Sequence, residues 1–138
     1  MPKRRHRIII DTNLWISYLL SSGLRKLDTI LVKREIVLLF SQELLDELVE
    51  VTQRPKFKKY FHSEDVSSLL YQLSLRAELI TVVSDATDCR DDKDNFLLAL
   101  AGDGRATHLI TGDNDLLVLD RYRQTKILTV EAYLQSLN

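Results

Sequence analysis

The chain has 138 residues, of which 45% are hydrophobic and 28% charged, with a net charge of −1; this describes one globular domain over 1–138 with a single core and excludes a disordered chain. The near-zero charge leaves no global positive field, so any nucleic-acid contact must come from local basic patches or a metal. One cysteine, Cys89, excludes an internal disulfide framework and a cysteine zinc cluster, and no apolar run approaches the ~20 residues of a membrane span.

The basic start Met1-Pro2-Lys3-Arg4-Arg5 is followed only by Ile8 to Ile10 before Asp11, which is no signal-peptide core, so the cytoplasm is the expected location. Residues 7–10 read as a first strand, and a helix carrying Leu14, Trp15, Tyr18 and Leu19 follows. A second helix holds Leu27, Ile30 and Leu31. Ile36 to Phe40 is the next strand. Ser41 is then a good N-cap for a helix whose Leu44, Leu45, Leu48 and Val49 form one stripe, and Arg54-Pro55 ends it.

Ser63 is a candidate cap for a helix with Val66, Leu69, Leu70 and Leu73 on one face, and Glu64 and Asp65 suit its first turn. Residues 79–83 are rich in β-branched side chains and predict a strand. Residues 84–93 have almost no large apolar side chain and read as a surface loop that enters a helix at Asp94. Gly102 and Gly104 end that helix. Residues 108–111 and 126–129 predict two further strands, and the C-terminal helix carries Val130, Tyr133, Leu134 and Leu137. Strands alternating with helices predict an α/β fold around a parallel sheet.

Four acids stand out against this pattern. Asp11 closes the first strand, Glu47 lies one turn into the helix after the second, Asp94 opens the helix before His108, and Asp113 follows Leu109-Ile110-Thr111-Gly112. In an open parallel sheet ligands bind at the carboxyl ends of the strands, where such positions can converge. Crowded carboxylates repel, and a hard divalent cation is the natural relief. Each acid also has an ordinary alternative. Asp11 and Asp94 could be helix caps, Glu47 a solvated helix residue beside Asp46 and Glu50, and Asp113 and Asp115 members of a turn. Four such coincidences at one sheet edge are harder to accept than any one of them.

The segments Ile8-Ile9-Ile10-Asp11-Thr12-Asn13, Ser41-Gln42-Glu43-Leu44-Leu45-Asp46-Glu47-Leu48, Asp91-Asp92-Lys93-Asp94-Asn95-Phe96-Leu97-Leu98-Ala99 and Leu109-Ile110-Thr111-Gly112-Asp113-Asn114-Asp115-Leu116-Leu117, in this order, resemble the PIN-domain family of metal-dependent nucleases. More narrowly, the chain is similar to the single-domain toxins of prokaryotic toxin–antitoxin pairs. The resemblance implies a three-layer α/β/α fold with a central parallel sheet of four to five strands. It also implies a metal-dependent endoribonuclease acting on single-stranded RNA with Mg²⁺ or Mn²⁺. Asp11, Glu47, Asp94 and Asp113 would be the catalytic, metal-holding quartet, with Thr12, Asn13, Asp91 and Asp115 in support. The loop before the third acid, often Asp-Pro-x-Asp in close relatives, is Asp91-Asp92-Lys93-Asp94 here, which leaves Asp91 and Asp92 open as substitutes or helpers.

Substrate contact is expected from Arg54, Lys56, Lys58 and Lys59, interleaved with Phe57, Tyr60 and Phe61, a composition suited to phosphates and unpaired bases but equally to a helix with one solvated basic side. An antitoxin partner and a homodimer follow from the resemblance. The dimer is also suggested by the apolar surface of Trp15, Tyr18, Leu19, Leu27, Ile30 and Leu31. Two other functions compete with the nuclease. A haloacid-dehalogenase-like phosphatase wants a second aspartate where Asn13 stands, and a catalytically silent RNA- or protein-binding scaffold does not need all four acids.

Overall fold

The computed structural model describes residues 5–20, 29–33, 35–61 and 63–137. Its strands are β1 (His6–Ile10), β2 (Ile36–Phe40), β3 (Ala77–Leu79), β4 (His108–Ile110), β5 (Arg121–Tyr122) and β6 (Thr125–Leu128). The helices are α1 (Thr12–Leu20), α2 (Gln42–Thr52), α3 (Pro55–Lys58), α4 (Ser63–Arg76), α5 (Asp92–Asp103), α6 (Asn114–Leu117) and α7 (Val130–Ser136). They surround one six-stranded sheet of order β3-β2-β1-β4-β6-β5, parallel except for the β5–β6 pair. The expected parallel α/β sheet is therefore present.

β1 lies at the centre, and Ile8, Ile9 and Ile10 are all buried, the continuous apolar run of a strand covered on both faces. Its registers are Ile8 with Leu38 on one side and Ile10 with Ile110 on the other. From β1 the chain builds outward through β2 and β3, then returns to β1's other edge with β4 and β6. That reversal places a crevice beyond the carboxyl ends of β1 and β4. Trp15, Phe40, Leu48, Leu98, Leu100 and Tyr133 fill the core against the sheet.

Caps set the helices that border the crevice. Ser41 Oγ accepts from Leu44 N at 3.0 Å and starts α2, as its position after a strand predicts. Thr129 does the same for α7 through Ala132 N. Pro55 does not simply end a helix. It opens the short α3 at its first position, where a missing N–H costs nothing.

Three expectations shift. The strand read at 79–83 is observed at Ala77–Leu79, because pairing with Leu38–Phe40 ends there; Val83 is 82% exposed, and its β-branching reflects no burial. The sheet has six strands rather than four or five; the addition is the two-residue β5, which folds back on β6. Helix α5 begins at Asp92 rather than Asp94 and runs through Gly102, with Gly104 as its C-cap. Gly104 is required for space: a Cβ would lie 3.0 Å from Leu100 O and from Leu39 Cδ1. Leu27 of the expected second helix, and the side chains of Leu19, Ser63 and Leu69, lie outside the described residues; Ile30 and Leu31 are helical.

At the opposite end of the sheet from the crevice, His6 Nδ1 meets Tyr133 Oη at 2.6 Å. His108 packs on both rings at 4.8 and 4.9 Å. Burial, then the charges of His6 and Lys126, push the His108 imidazole down to about 4, so it stays neutral at physiological pH.

Candidate metal centre

Asp11 leaves the end of β1 with its own N–H still bound to Ile110 O at 3.0 Å. Its carbonyl accepts from Leu14 N at 3.0 Å, starting α1, so the helix-capping alternative holds for its backbone. The carboxylate is buried and fully engaged at its base. Oδ1 accepts from Asn13 N at 3.1 Å, and Oδ2 accepts from Thr111 Oγ1 at 2.8 Å. The same Thr111 hydroxyl accepts from Asp113 N at 3.1 Å. A single buried threonine thus ties the ends of β1 and β4 together.

Asp113 follows two residues later and caps α6, with Oδ1 accepting from Asp115 N at 2.9 Å. Asp94 is the third residue of α5, behind the N-cap Asp91, whose carboxylate accepts from Lys93 N at 2.8 Å. The cap expected of Asp94 is therefore provided by Asp91. Asp94 is 6% exposed, and its Oδ2 is buried with no hydrogen-bond partner among the described residues.

A buried carboxylate with an unpartnered oxygen should resist ionisation. Burial pushes Asp94 up to about 6; the neighbouring charge of Asp113, and a hydrogen bond to Asp113 that favours the neutral acid, add to it, as do Asp91 and Asp11. One carboxylate oxygen from each of Asp94, Asp113 and Asp115 falls within a 4.8 Å cluster. Hard oxygen donors at this spacing, with an unpartnered oxygen on Asp94, fit a small divalent cation in donor type and in charge.

Glu47 approaches from α2, half-buried, with Oε1 3.8 Å from Lys93 Nζ. Asp11, Glu47, Asp94 and Asp113 all line one cleft of about 450 Å³, together with Thr12, Asn13, Asp91 and Asp92. Asp115 stands at its margin rather than in its wall. It is half-exposed and paired with Arg90 at 3.3 Å. The basic stretch is elsewhere. Arg54, Lys56, Lys58 and Lys59 do not line the cleft; Arg54 pairs with Glu50, Lys56 lies over Phe57 and Lys59 over Tyr60.

Four residues of the site carry no role in the sequence reading. Thr111 looks like the last residue of a strand, and nothing local announces that its hydroxyl bridges two acids. Glu43 precedes Glu47 by one helical turn and shares its cleft-facing side, a spacing that could have been used. Lys93 and Phe96 belong to the quoted motif, and both line the same cleft.

Comparison with known proteins adds to this geometry. The family model described as PIN domain matches residues 7–115, from the first residues of β1 through Asp115. The chain belongs to the PIN-domain family. It is also 31% identical over 131 residues to an uncharacterized protein of Methanocaldococcus jannaschii, covering 92% of this chain and 84% of that one. PIN domains form a nuclease superfamily whose members generally depend on divalent metal, and the acid cluster here is of that kind. Among the described residues no helix is long and apolar enough to cross a membrane.

Proposed function

We propose that this PIN domain is a Mg²⁺- or Mn²⁺-dependent endoribonuclease of single-stranded RNA, acting in the cytoplasm as the toxin of a toxin–antitoxin pair. The observation that carries the reading is the convergence of Asp11, Glu47, Asp94 and Asp113 on one cleft, with a buried carboxylate oxygen on Asp94 that no group among the described residues satisfies. Asp94, Asp113 and Asp115 offer the clustered oxygens that would hold the cation, with Asp11 and Glu47 lining the same cleft. A bound Mg²⁺ or Mn²⁺ would supply Lewis-acid activation of water and neutralise charge on the phosphate.

The protein's own groups do the positioning. Thr111 donates to the Asp11 carboxylate and accepts from the backbone N–H of Asp113, so it holds the Asp11 side chain against the chain at the end of β4. Asn13 N holds the other Asp11 oxygen, and Thr12, buried at the start of α1, turns toward the cleft where a phosphate oxygen would sit. Glu47, whose Oε1 lies 3.8 Å from Lys93 Nζ, can orient a water or accept its proton.

The homodimer rests on family resemblance alone. Trp15 and Ile30 are buried in the core, and Tyr18 and Leu31 pack against it, so the surface first suggested for it is largely used within the chain. Exposed apolar side chains occur instead at Tyr71, Leu75 and Leu79, along α4 and the outer strand, where a second copy or an antitoxin helix can dock. Sedimentation of the isolated protein distinguishes these occupants.

The test of the activity is cleavage of a labelled single-stranded RNA with Mg²⁺ or Mn²⁺, before and after exhaustive chelation. Loss on chelation and recovery on adding metal are expected. Cleavage that survives chelation would discard the metal reading, and no cleavage under any metal would discard the nuclease.

A further inference from the structure

Among the described residues, the cleft is lined by seven carboxylates and one cation, Lys93. A metal can neutralise charge at the cluster, but it does nothing for the rest of a polyanion laid across such a wall. Lys93 and Phe96, the one aromatic among the described lining residues, sit three positions apart on α5. That spacing places them on the same helical face, one turn from each other.

Lys93 is not committed where it is. Its side chain is 67% exposed and its contact with Glu47 is long, at 3.8 Å, so the ammonium can swing on its flexible stem at little cost. Phe96 is half-buried and lines the cleft. A cation beside an aromatic face is what binds a nucleotide with an unpaired base: the ammonium takes the phosphate and the ring takes the base. Bases in a duplex are already stacked and offer no face. Two cations of the basic stretch, by contrast, lie over their own aromatics, Lys56 over Phe57 and Lys59 over Tyr60.

Resting on the nuclease reading above, we propose that Lys93 and Phe96 form a nucleotide subsite beside the acid cluster, Lys93 contacting a backbone phosphate and Phe96 stacking on the unpaired base of single-stranded RNA. The subsite explains how an acidic cleft admits a polyanion and makes an unstacked base, rather than a basic surface, the requirement for entry.

Equilibrium binding of a fluorescein-labelled single-stranded RNA, followed by anisotropy in chelator and again in Ca²⁺, reads the subsite whether or not the protein cleaves. Lys93→Gln is expected to weaken binding about fivefold or more and to lower the slope of log affinity against log salt by about 0.7, with Lys93→Arg close to wild type. Phe96→Leu keeps apolar bulk but has no π face; it should weaken binding about five- to a hundredfold, while Phe96→Trp should not. An abasic nucleotide walked along the strand should, at one position, reduce wild-type binding to the Phe96→Leu level and leave Phe96→Leu unchanged. Equal abasic losses in both proteins, Phe96→Leu binding as wild type does, or a duplex bound as tightly as the single strand would each overturn the proposal. Binding that depends on both residues without cleavage in Mg²⁺ or Mn²⁺ would keep the subsite and discard the nuclease. Cleavage indifferent to both residues would do the reverse.

Discussion

Asp94→Asn separates a metal-holding carboxylate from a structural one by the sign of its effect on stability. Folding raises the Asp94 carboxyl from its ordinary 3.8 to about 6. Between those values the folded protein keeps a proton that the unfolded chain has released, so stability falls as pH rises through that window and the loss is complete above about 6. The displacement corresponds to about 3 kcal/mol as an upper limit, and water entering the cleft together with counterions reduces it. Asparagine keeps the shape, cannot ionise, and can donate to Asp113 as the neutral acid does. In chelator at pH 7.5 the variant should therefore be more stable by about 1–3 kcal/mol, raising Tm by roughly 3–10 °C for a domain of this size. The difference should fade as pH approaches 4. Added Mg²⁺ should favour the wild type, by about 2.7 kcal/mol at a hundredfold excess over Kd, and so shrink or invert the gap while cleavage by the variant stays abolished. Thermal melts across pH 4–8, with and without Mg²⁺, make the comparison. A variant less stable than wild type in chelator at pH 7.5, or a gap that ignores both pH and metal, would refute the reasoning.

Asp113→Asn should reduce cleavage at least a hundredfold and Asp115→Asn less than tenfold, because Asp113 lines the cleft while Asp115 lies at its margin with Arg90; matching losses in initial rates would make Asp115 an equal ligand. Thr111→Val removes the hydroxyl between Asp11 and Asp113 without changing volume; it should cost about 1–3 kcal/mol in denaturant melts and lower kcat, with Thr111→Ser largely restoring both. An unaltered midpoint would show that the bridge contributes nothing. The His108 imidazole, held down to about 4 by burial and by the nearby cations, contributes stability that is present above about 6.5 and lost as pH falls toward 4. His108→Phe should flatten the acid limb of the stability profile by about 1–3 kcal/mol, and an unchanged limb would move that loss to another group.

The central strands were legible because burial on both faces leaves its mark in three isoleucines and in Ile36 to Phe40. Ser41 was legible because its cap is local. The outer strand was misplaced because residues 79–83 have strand-like chemistry, whereas pairing is decided by where β2 offers a partner. The supposed surplus of apolar surface on the early helices failed in the same way: Trp15 and Ile30 are buried in the core, and no local pattern counts the neighbours that cover them. Within the cleft, positions next to strand ends could be read in advance. Thr111 could not, because its role lies in a partner 100 positions away. Lys93 was hidden by the acids around it, and the more conspicuous run from Arg54 to Lys59 drew the expectation of substrate contact.

The strand order also dictates a sequence in time. A ribosome delivers β1, β2 and β3 in turn, and these three can pair at once, yet the far edge of β1 stays bare until residues 108–110 arrive as β4. Through that interval three isoleucines border an open ladder, the kind of edge on which nascent chains associate with one another or with chaperones. Over the same interval Asp11 and Glu47 exist without Asp113, and the threonine that holds Asp11 has not been made. A polypeptide interrupted before Thr111 thus keeps an open strand edge and an incomplete acid cleft. The cleft is closed in a single late step, when the second edge of β1 is paired.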